Sequence, residues 1–280
     1  MGKVLKTLYG SNLDCNTFDD VFRISSQVFQ IEHKLSEVKR NLPHTMQLVN
    51  ARDIQSKETL TGNLLCVTKF RVILTLRYHN TRILTHRPLL QKYLDMLSHH
   101  PAGSTGSPLA EPLRQVGVNS LRICTQSATS IVELMAHVLS SKENRALLGA
   151  WWFSLYYVFN SALVLYSGFL IKLYSECHPD TISLGDIEFN RSHLHQAIEC
   201  LTSLDDGNVM ADKCARYTMK LDRVLDVIQN GYGTINEGSL TSHQAVGHIA
   251  ALMGPSPFDP GHTPTGFDLS EFMVPADLDF

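Results

Sequence analysis

Histidine and cysteine are the residues of this chain best suited to bind a metal ion or to act as nucleophiles. The 280 residues include 13 histidines and 6 cysteines. The two closest cysteines, Cys200 and Cys214, lie 14 residues apart, whereas thiolate zinc sites use close pairs such as C-x2-C. We therefore predict reduced thiols buried in helices and no metal ligands, a pattern typical of an intracellular compartment.

The histidine spacings do not indicate an active site either. His193 and His195 are two residues apart, so on a helix they diverge and cannot share an ion. His79 and His86 are seven apart and could share a helix face, but we interpret His79 as a hydrogen-bonded core residue. The sequence also lacks H-E-x-x-H, G-x-S-x-G, a P-loop and G-x-G-x-x-G. We therefore predict that the chain is not an enzyme.

Amphipathic helices must carry these residues. Apolar side chains recur at spacings of three and four, which predicts helices over about residues 17–42, 64–85, 113–139, 186–204 and 208–228. The run His86-Arg87-Pro88 is predicted to end the second of these helices, and Pro88 to open a short helix over about Leu89–Leu97. The spacing indicates no strand, so the predicted fold class is all-α.

The segment Ala146–Ile171 contains no charged residue. A helix that is apolar all round must be buried, either in a bilayer or in a large helical core. Polar residues such as Ser154, Asn160 and Ser161 interrupt the run. We therefore predict the buried apolar central helix of a single multi-helix domain, with a single-span membrane protein as the alternative.

The C-terminal tail, residues 231–280, differs from the rest in composition. Arg223 is the last Lys or Arg of the chain, whereas acids and prolines continue to its end. Such a segment buries little apolar surface, which predicts a disordered acidic tail. Residues 267–280 mix acids with apolar residues, a pattern that predicts a transcriptional activation segment. Its apolar members are Phe267, Leu269, Phe272, Met273, Leu278 and Phe280. The alternative is a tail that docks on its own domain.

The segment Leu74–Pro88 contains the most specific motif. Its sequence, LTLRYHNTRILTHRP, resembles the Y-H-N-x-R-I-L-x-H-R-P signature of the fungal-specific transcription factor domain. That domain is the regulatory middle region of fungal binuclear zinc-cluster (Zn2Cys6) activators. Glu32–Pro43, Cys124–Ala128 and Trp152–Leu165 resemble further elements of the family, and the whole resemblance covers about residues 1–230. The signature residues are Arg77, Tyr78, His79, Asn80, Arg82, His86, Arg87 and Pro88.

This resemblance implies that residues 1–230 form a helical regulatory domain of a nuclear transcription regulator. The family's N-terminal six-cysteine zinc cluster has no counterpart in the sequence, so we expect an N-terminally truncated chain that reaches DNA only through another module. No cofactor is expected here, since zinc would belong to the missing cluster. Expected partners are transcriptional coactivators, a small-molecule effector and a second copy in a homodimer, with no membrane. A standalone helical ligand sensor, or a cofactor protein without promoter binding, is the alternative.

The signature also has a physical interpretation. Arg77, Arg82 and Arg87 lie on or beside a mostly buried helix, so each needs a carboxylate or exposed carbonyl groups nearby. Tyr78 and His79 have polar tips on apolar bodies, which suits the border between a core and its rim. We interpret the signature as a polar clamp that fixes helix packing, and an effector pocket as the alternative.

Overall fold

Six α-helices lie in the residues that the computed structural model describes, 18–54, 62–99, 110–177, 184, 187–204 and 207–234. They are α1 (Phe18–Asn41), α2 (Asn63–His99), α3 (Ala110–Leu139), α4 (Trp151–Cys177), α5 (Arg191–Ser203) and α6 (Val209–Thr234). Short 3-10 helices occur at His44–Met46, Ala51–Asp53 and Asn144–Leu147. No strand occurs within these ranges, which confirms the predicted all-α fold class. The predicted activation segment 267–280 lies outside the described residues.

Helix α3 lies at the centre of the bundle. It packs against α2 on one side and against α4 and α5 on the others. Its inward face, which includes Leu121, Ile131 and Met135, is completely buried. Helix α1 packs on α2 from outside through a smaller cluster that includes Ile24 and Val28. Helix α2 is therefore covered on two faces, by α1 and by the rest of the bundle.

Helix α2 corrects the prediction that His86-Arg87-Pro88 ends one helix and opens another. The helix is continuous from Asn63 to His99 with Pro88 inside it. A proline in a helix interior costs about 3 kcal/mol because it lacks the N–H donor. Leu89, Leu90 and Tyr93, which follow it, are all buried, and each large apolar side chain contributes about 1.5–3 kcal/mol on burial. Packing of the second half therefore outweighs the local preference to stop.

A glycine allows α2 and α3 to approach closely. A Cβ atom at Gly117 would lie 2.4 Å from Cγ and 2.6 Å from Cβ of Tyr93. Tyr93 is fully buried, and its Cβ atom is fixed to the α2 backbone. Any side chain at position 117 would therefore push the two helices apart.

Helix α4 is the predicted buried central helix, and its burial confirms that prediction. Among the described residues it is the one helix long and apolar enough to cross a membrane, and 67% of its most apolar window is buried inside the bundle. The face toward the bundle includes both small side chains, such as Ser161 and Ala162, and large apolar ones, such as Ile171, whereas Trp152 is 45% exposed. The small residues on this face let neighbouring helices approach.

The last two helices begin at asparagine caps. The side chain of Asn190 accepts a hydrogen bond from the Ser192 N–H, so α5 starts at Arg191 rather than at the predicted Asp186. The Asn208 side chain accepts from the N–H groups of Met210 and Ala211, which confirms the predicted cap of α6. Helix α6 continues to Thr234, beyond its predicted end near residue 228.

Candidate functional site

The signature residues occupy a little over three turns in the middle of α2, so they point in several directions around one helix. The structure buries four of them, leaves three partly buried and exposes one. The buried residues are Tyr78, Asn80, His86 and Pro88. Those partly buried are His79, Arg82 and Arg87, and the exposed one is Arg77. A single helix thus presents this segment to α1, α3 and α4 at once.

The buried side of the segment contains a cluster of four polar residues, Glu32, Arg82, His86 and Ser120, which we call the polar cluster. The Arg82 Nε atom donates to Oε1 of Glu32 on α1 at 2.7 Å. The Nδ1 atom of His86 lies 3.2 Å from the Ser120 hydroxyl oxygen on α3, and its Nε2 atom lies 3.6 Å from Oε2 of Glu32. The last distance is too long for a hydrogen bond but short enough for an ion pair when the imidazole is protonated. The polar cluster therefore joins α1, α2 and α3.

The charge of Glu32 depends on this setting. Its side chain is 19% exposed. Burial by itself raises the pKa of a carboxyl group, but the contacts with His86 and Arg82 outweigh burial and lower the pKa of Glu32 to about 2. Glu32 is consequently ionised at all physiological pH values and holds the Arg82 guanidinium in place.

Buried Tyr78 and partly buried His79 lie beside the polar cluster. Their rings meet edge to face with centroids 5.4 Å apart, and the Lys39 ammonium and the Arg82 guanidinium each lie 6.0 Å from the Tyr78 ring centroid. Burial is the main cause that lowers the pKa of His79 to about 4, with further lowering by Arg82 and Lys39. His79 is therefore neutral at pH 7.

The prediction that His79 is a hydrogen-bonded core residue is wrong at one of its ring nitrogens. Its Nδ1 atom is buried and has no hydrogen-bond partner among the described residues. The imidazole packs edge to face against the Tyr78 ring instead, so its contact on this side is aromatic.

A second polar contact connects the segment to α4. The Nδ2 atom of buried Asn160 donates to Oδ1 of buried Asn80 at 3.3 Å. The Asn160 side chain also hydrogen-bonds Tyr156 one turn earlier on α4. Because both amides are buried, this pair fixes the register of α2 against α4.

The remaining two arginines have different surroundings. The guanidinium of Arg77 lies 5.4 Å from the Phe153 ring centroid at the start of α4. Arg87 lines a cavity of about 230 Å³ between α2 and α4. Within the described ranges, Arg87 has no carboxylate within ion-pair distance. We expected each of the three arginines to lie beside a carboxylate or carbonyl groups. Arg82 is the one whose described contacts agree with that expectation.

The described part of the chain contains no cluster of three His, Cys, Asp or Glu side chains that could hold a metal ion. His193 and His195 approach Glu133 and Asp222 respectively, on different helices. Burial raises the pKa of the Cys124 and Cys200 thiols to about 12. These two thiols are therefore poor nucleophiles at neutral pH.

Sequence reasoning missed the partners of the signature. Glu32, Ser120 and Asn160 come from three other helices, 50, 34 and 80 residues away from the α2 residues they contact. A local signal existed for Glu32, because it lies four residues after buried Val28 on the apolar face of α1. An acid on such a face needs a cationic partner, but the sequence does not say which arginine supplies it.

Comparison with known proteins finds similarity to fungal transcription factors. The chain is 29% identical over 235 residues to the protein named Transcription factor FBD3 of Gibberella moniliformis, a match that covers 82% of this chain and 30% of that protein. The protein of the same name from Fusarium pseudograminearum is 30% identical over 229 residues, 80% of this chain and 28% of that protein. The Sorbicillinoid biosynthetic cluster transcription factor sor3 of Hypocrea jecorina is 26% identical over 132 residues, 46% of this chain and 18% of that protein.

The matches to the two FBD3 proteins cover most of this chain but only part of each relative. No protein-family model matches the chain, and no solved structure matches it. The chain spans only about 30% of the length of each of these two curated FBD3 relatives. A continuous match to 82% of 280 residues leaves out about 50, so it starts no later than about residue 51 and includes Leu74–Pro88. The similarity to transcription factors, which supports a role in transcription regulation, therefore covers the segment that organises the polar cluster.

Proposed function

We propose that this chain is the helical regulatory region of a fungal binuclear zinc-cluster transcription factor, acting in the nucleus on RNA polymerase II transcription. The observation that carries the proposal is the similarity to named transcription factors across four fifths of the chain, which includes the signature segment. The geometry of α2 adds support, since the signature residues contact three neighbouring helices. A signature of this kind specifies a domain architecture rather than a catalytic site.

DNA recognition is proposed to belong to another part of the protein. The two relatives named FBD3 are more than three times as long as the region that this chain matches, which leaves room in them for other modules. The chain itself has a net charge of -3, and a protein surface without excess positive charge binds phosphate backbones weakly. We expect zinc only in that other module.

Residues 267–280 are proposed as the segment that contacts transcriptional coactivators. Their sequence mixes four acids with the apolar side chains of Phe267, Leu269, Phe272, Met273, Leu278 and Phe280, among others. Apolar residues of this kind anchor in a groove of the partner, while the acids keep them in solution and attract basic surfaces. Folding on binding limits the affinity, because ordering the segment offsets part of the contact energy.

A reporter assay tests the proposal with the whole chain. Residues 1–280 are fused to a heterologous DNA-binding domain, and transcription is measured from a promoter with its binding sites. We expect activation above the DNA-binding domain alone, and a large loss when Phe267, Leu269 and Phe272 are changed together to Ala. The control changes Ser256, Thr263 and Thr265 to Ala and keeps full activation. A fusion that is expressed, nuclear and silent contradicts the proposal.

A helical ligand sensor that acts without a promoter is the second candidate function. The Arg87 cavity favours it, because a partly buried cation beside a cavity suits a bound anion. The two functions differ in the reporter assay. A sensor without a promoter role leaves the reporter silent, yet still binds a ligand in the purified protein.

A further inference from the structure

We propose that the cavity between α2 and α4 binds a small monocarboxylate with an apolar body, and that Arg87 is the residue that holds its carboxylate. This inference goes beyond the proposed function and does not depend on it. It rests on the size and walls of the cavity, on the unpaired cation beside it, and on the other polar groups of the lining being engaged or, for Gln91, exposed at the rim.

The size and walls of the cavity limit the ligand. Its volume is about 230 Å³, whereas sites for drug-sized ligands take about 300–1,000 Å³. A molecule of about eight non-hydrogen atoms fits, since one water takes about 30 Å³ of liquid volume and the cavity therefore has room for about eight waters. The side chains of Leu90, Leu163 and Val164 form apolar walls. Leu163 is only partly buried and faces this space. An aliphatic or aromatic body would gain by covering it.

The cation is the feature that selects an anion. Arg87 is partly buried and lines the cavity, and no Asp or Glu is among the lining residues. Arg82, five residues earlier on the same helix, has Glu32 as its partner. A guanidinium removed from water gains most from a carboxylate, which accepts two parallel N–H bonds. In the described chain no carboxylate fills that role for Arg87.

The other polar groups of the cavity favour a single anionic group. The Ser167 hydroxyl donates to the Leu163 carbonyl of its own helix, and the Asn160 amide contacts Asn80 and Tyr156. Gln91 is exposed at the rim of α2. Arg87 is therefore the one cationic donor group of the lining. One such group matches one carboxylate, whereas a dicarboxylate or a phosphate would keep a charge against the apolar walls.

Occupation of this cavity would connect α2 and α4 next to the Asn80–Asn160 contact. The ligand would touch Arg87 on α2 and Leu163 on α4, one turn beyond Asn160. A ligand that binds only the folded state raises its stability by RT ln(1 + L/Kd), where L is the free ligand concentration. A bound carboxylate therefore stabilises the packing of the two helices.

Calorimetric titration of the purified full chain tests the proposal. The probes are benzoate and hexanoate, each with its neutral amide, benzamide and hexanamide, as a matched ligand control. We expect at least one carboxylate to bind with a dissociation constant of about 1 mM or lower, and at least about tenfold more tightly than its amide. Failure of both carboxylates to bind, or equal binding of acid and amide, overturns the proposal without the use of any variant.

Two variants locate the site. Arg87→Met keeps the length of the side chain and removes its charge, and we expect it to weaken carboxylate binding at least about tenfold. The matched control Arg122→Met removes an exposed arginine of α3 and leaves binding unchanged. Carboxylate binding that survives Arg87→Met, in a variant with the helical circular dichroism of the parent, overturns the assignment. Neither outcome depends on the reporter assay, so failure of this proposal and failure of the proposed function are distinguishable.

Discussion

Arg82 and Arg87 lie on the same helix, yet they have opposite environments. Arg82 faces α1 and donates to Glu32, whose pKa is lowered to about 2. Arg87 faces α4 and a cavity with apolar walls and no acid. Five residues advance a helix by about 500°, so the two side chains point in directions about 140° apart. The signature is therefore made of two sides, one closed by an internal carboxylate and one open to a carboxylate from outside.

This difference separates a stabilising role from a binding role. A partly buried ion pair leaves an uncompensated charge when one partner is removed, which is costly. Replacing an arginine that has no internal partner costs the protein little stability, but it abolishes recognition of an external anion. The sensitivity of folding to each arginine is therefore the measurement that distinguishes the two sides.

The largest expected effect comes from the helix contact that supports both sides. Gly117→Ala places a methyl group 2.4–2.8 Å from three atoms of Tyr93, and we expect it to lower the free energy of unfolding by about 3 kcal/mol. Gly149→Ala is the control, because its Cβ would lie 3.6 Å from Ile73, an ordinary contact. Chemical denaturation of both variants gives the comparison. Equal stability of the two would contradict the close approach of α2 and α3.

Removal of Arg82 tests the closed side. Arg82→Met leaves the Glu32 carboxylate partly buried with His86 as its remaining contact. We therefore expect the free energy of unfolding to fall by about 2 kcal/mol. The control is Arg40→Met near the end of α1, where the side chain is exposed and the expected change is within about 0.5 kcal/mol. Urea titration at pH 7 measures both.

The pH dependence of Arg82→Met tests whether loss of the ion pair with Glu32 causes the destabilisation. The Glu32 pKa is about 2 in the folded protein and 4.5 as the ordinary value, so the unfolded state binds more protons between these values. The stabilisation is present above about pH 4.5 and is lost as the pH falls toward 2. The difference in the free energy of unfolding between the parent and Arg82→Met should therefore become smaller over that pH range. A difference that stays constant would mean that lost packing, not charge, explains the variant.

His79 offers a smaller test of the same side. Its pKa is about 4 in the folded protein against an ordinary 6.5, so the unfolded state binds the additional proton between these values. Stability is therefore lost as the pH falls from about 6.5 to 4. We expect the parent to lose about 1 kcal/mol more than His79→Phe between pH 7 and pH 5, after allowance for partial exposure. His33→Gln, an exposed control on α1, should follow the parent.

The fold was largely predictable because it depends on local patterns. Apolar spacing predicted α1 and α3 nearly to their observed bounds, and Asn208 predicted the start of α6. The break at Pro88 was wrong because the burial of Leu89 and Tyr93 depends on α3, which no local window contains. The same limit applies to the site. The signature identified the α2 residues, but Glu32 and Asn160 become their partners only through the packing of separate helices.

The smallest expected effect is the one that defines the open side. Arg87→Met breaks no ion pair in the described structure, and its methionine can lie along the same apolar walls. We therefore expect the free energy of unfolding to change by no more than about 0.5 kcal/mol, without a change in its pH dependence. Urea titration beside Arg82→Met measures this under identical conditions. A loss as large as that of Arg82→Met would show that Arg87 has an internal partner, and the two sides of α2 would then be alike.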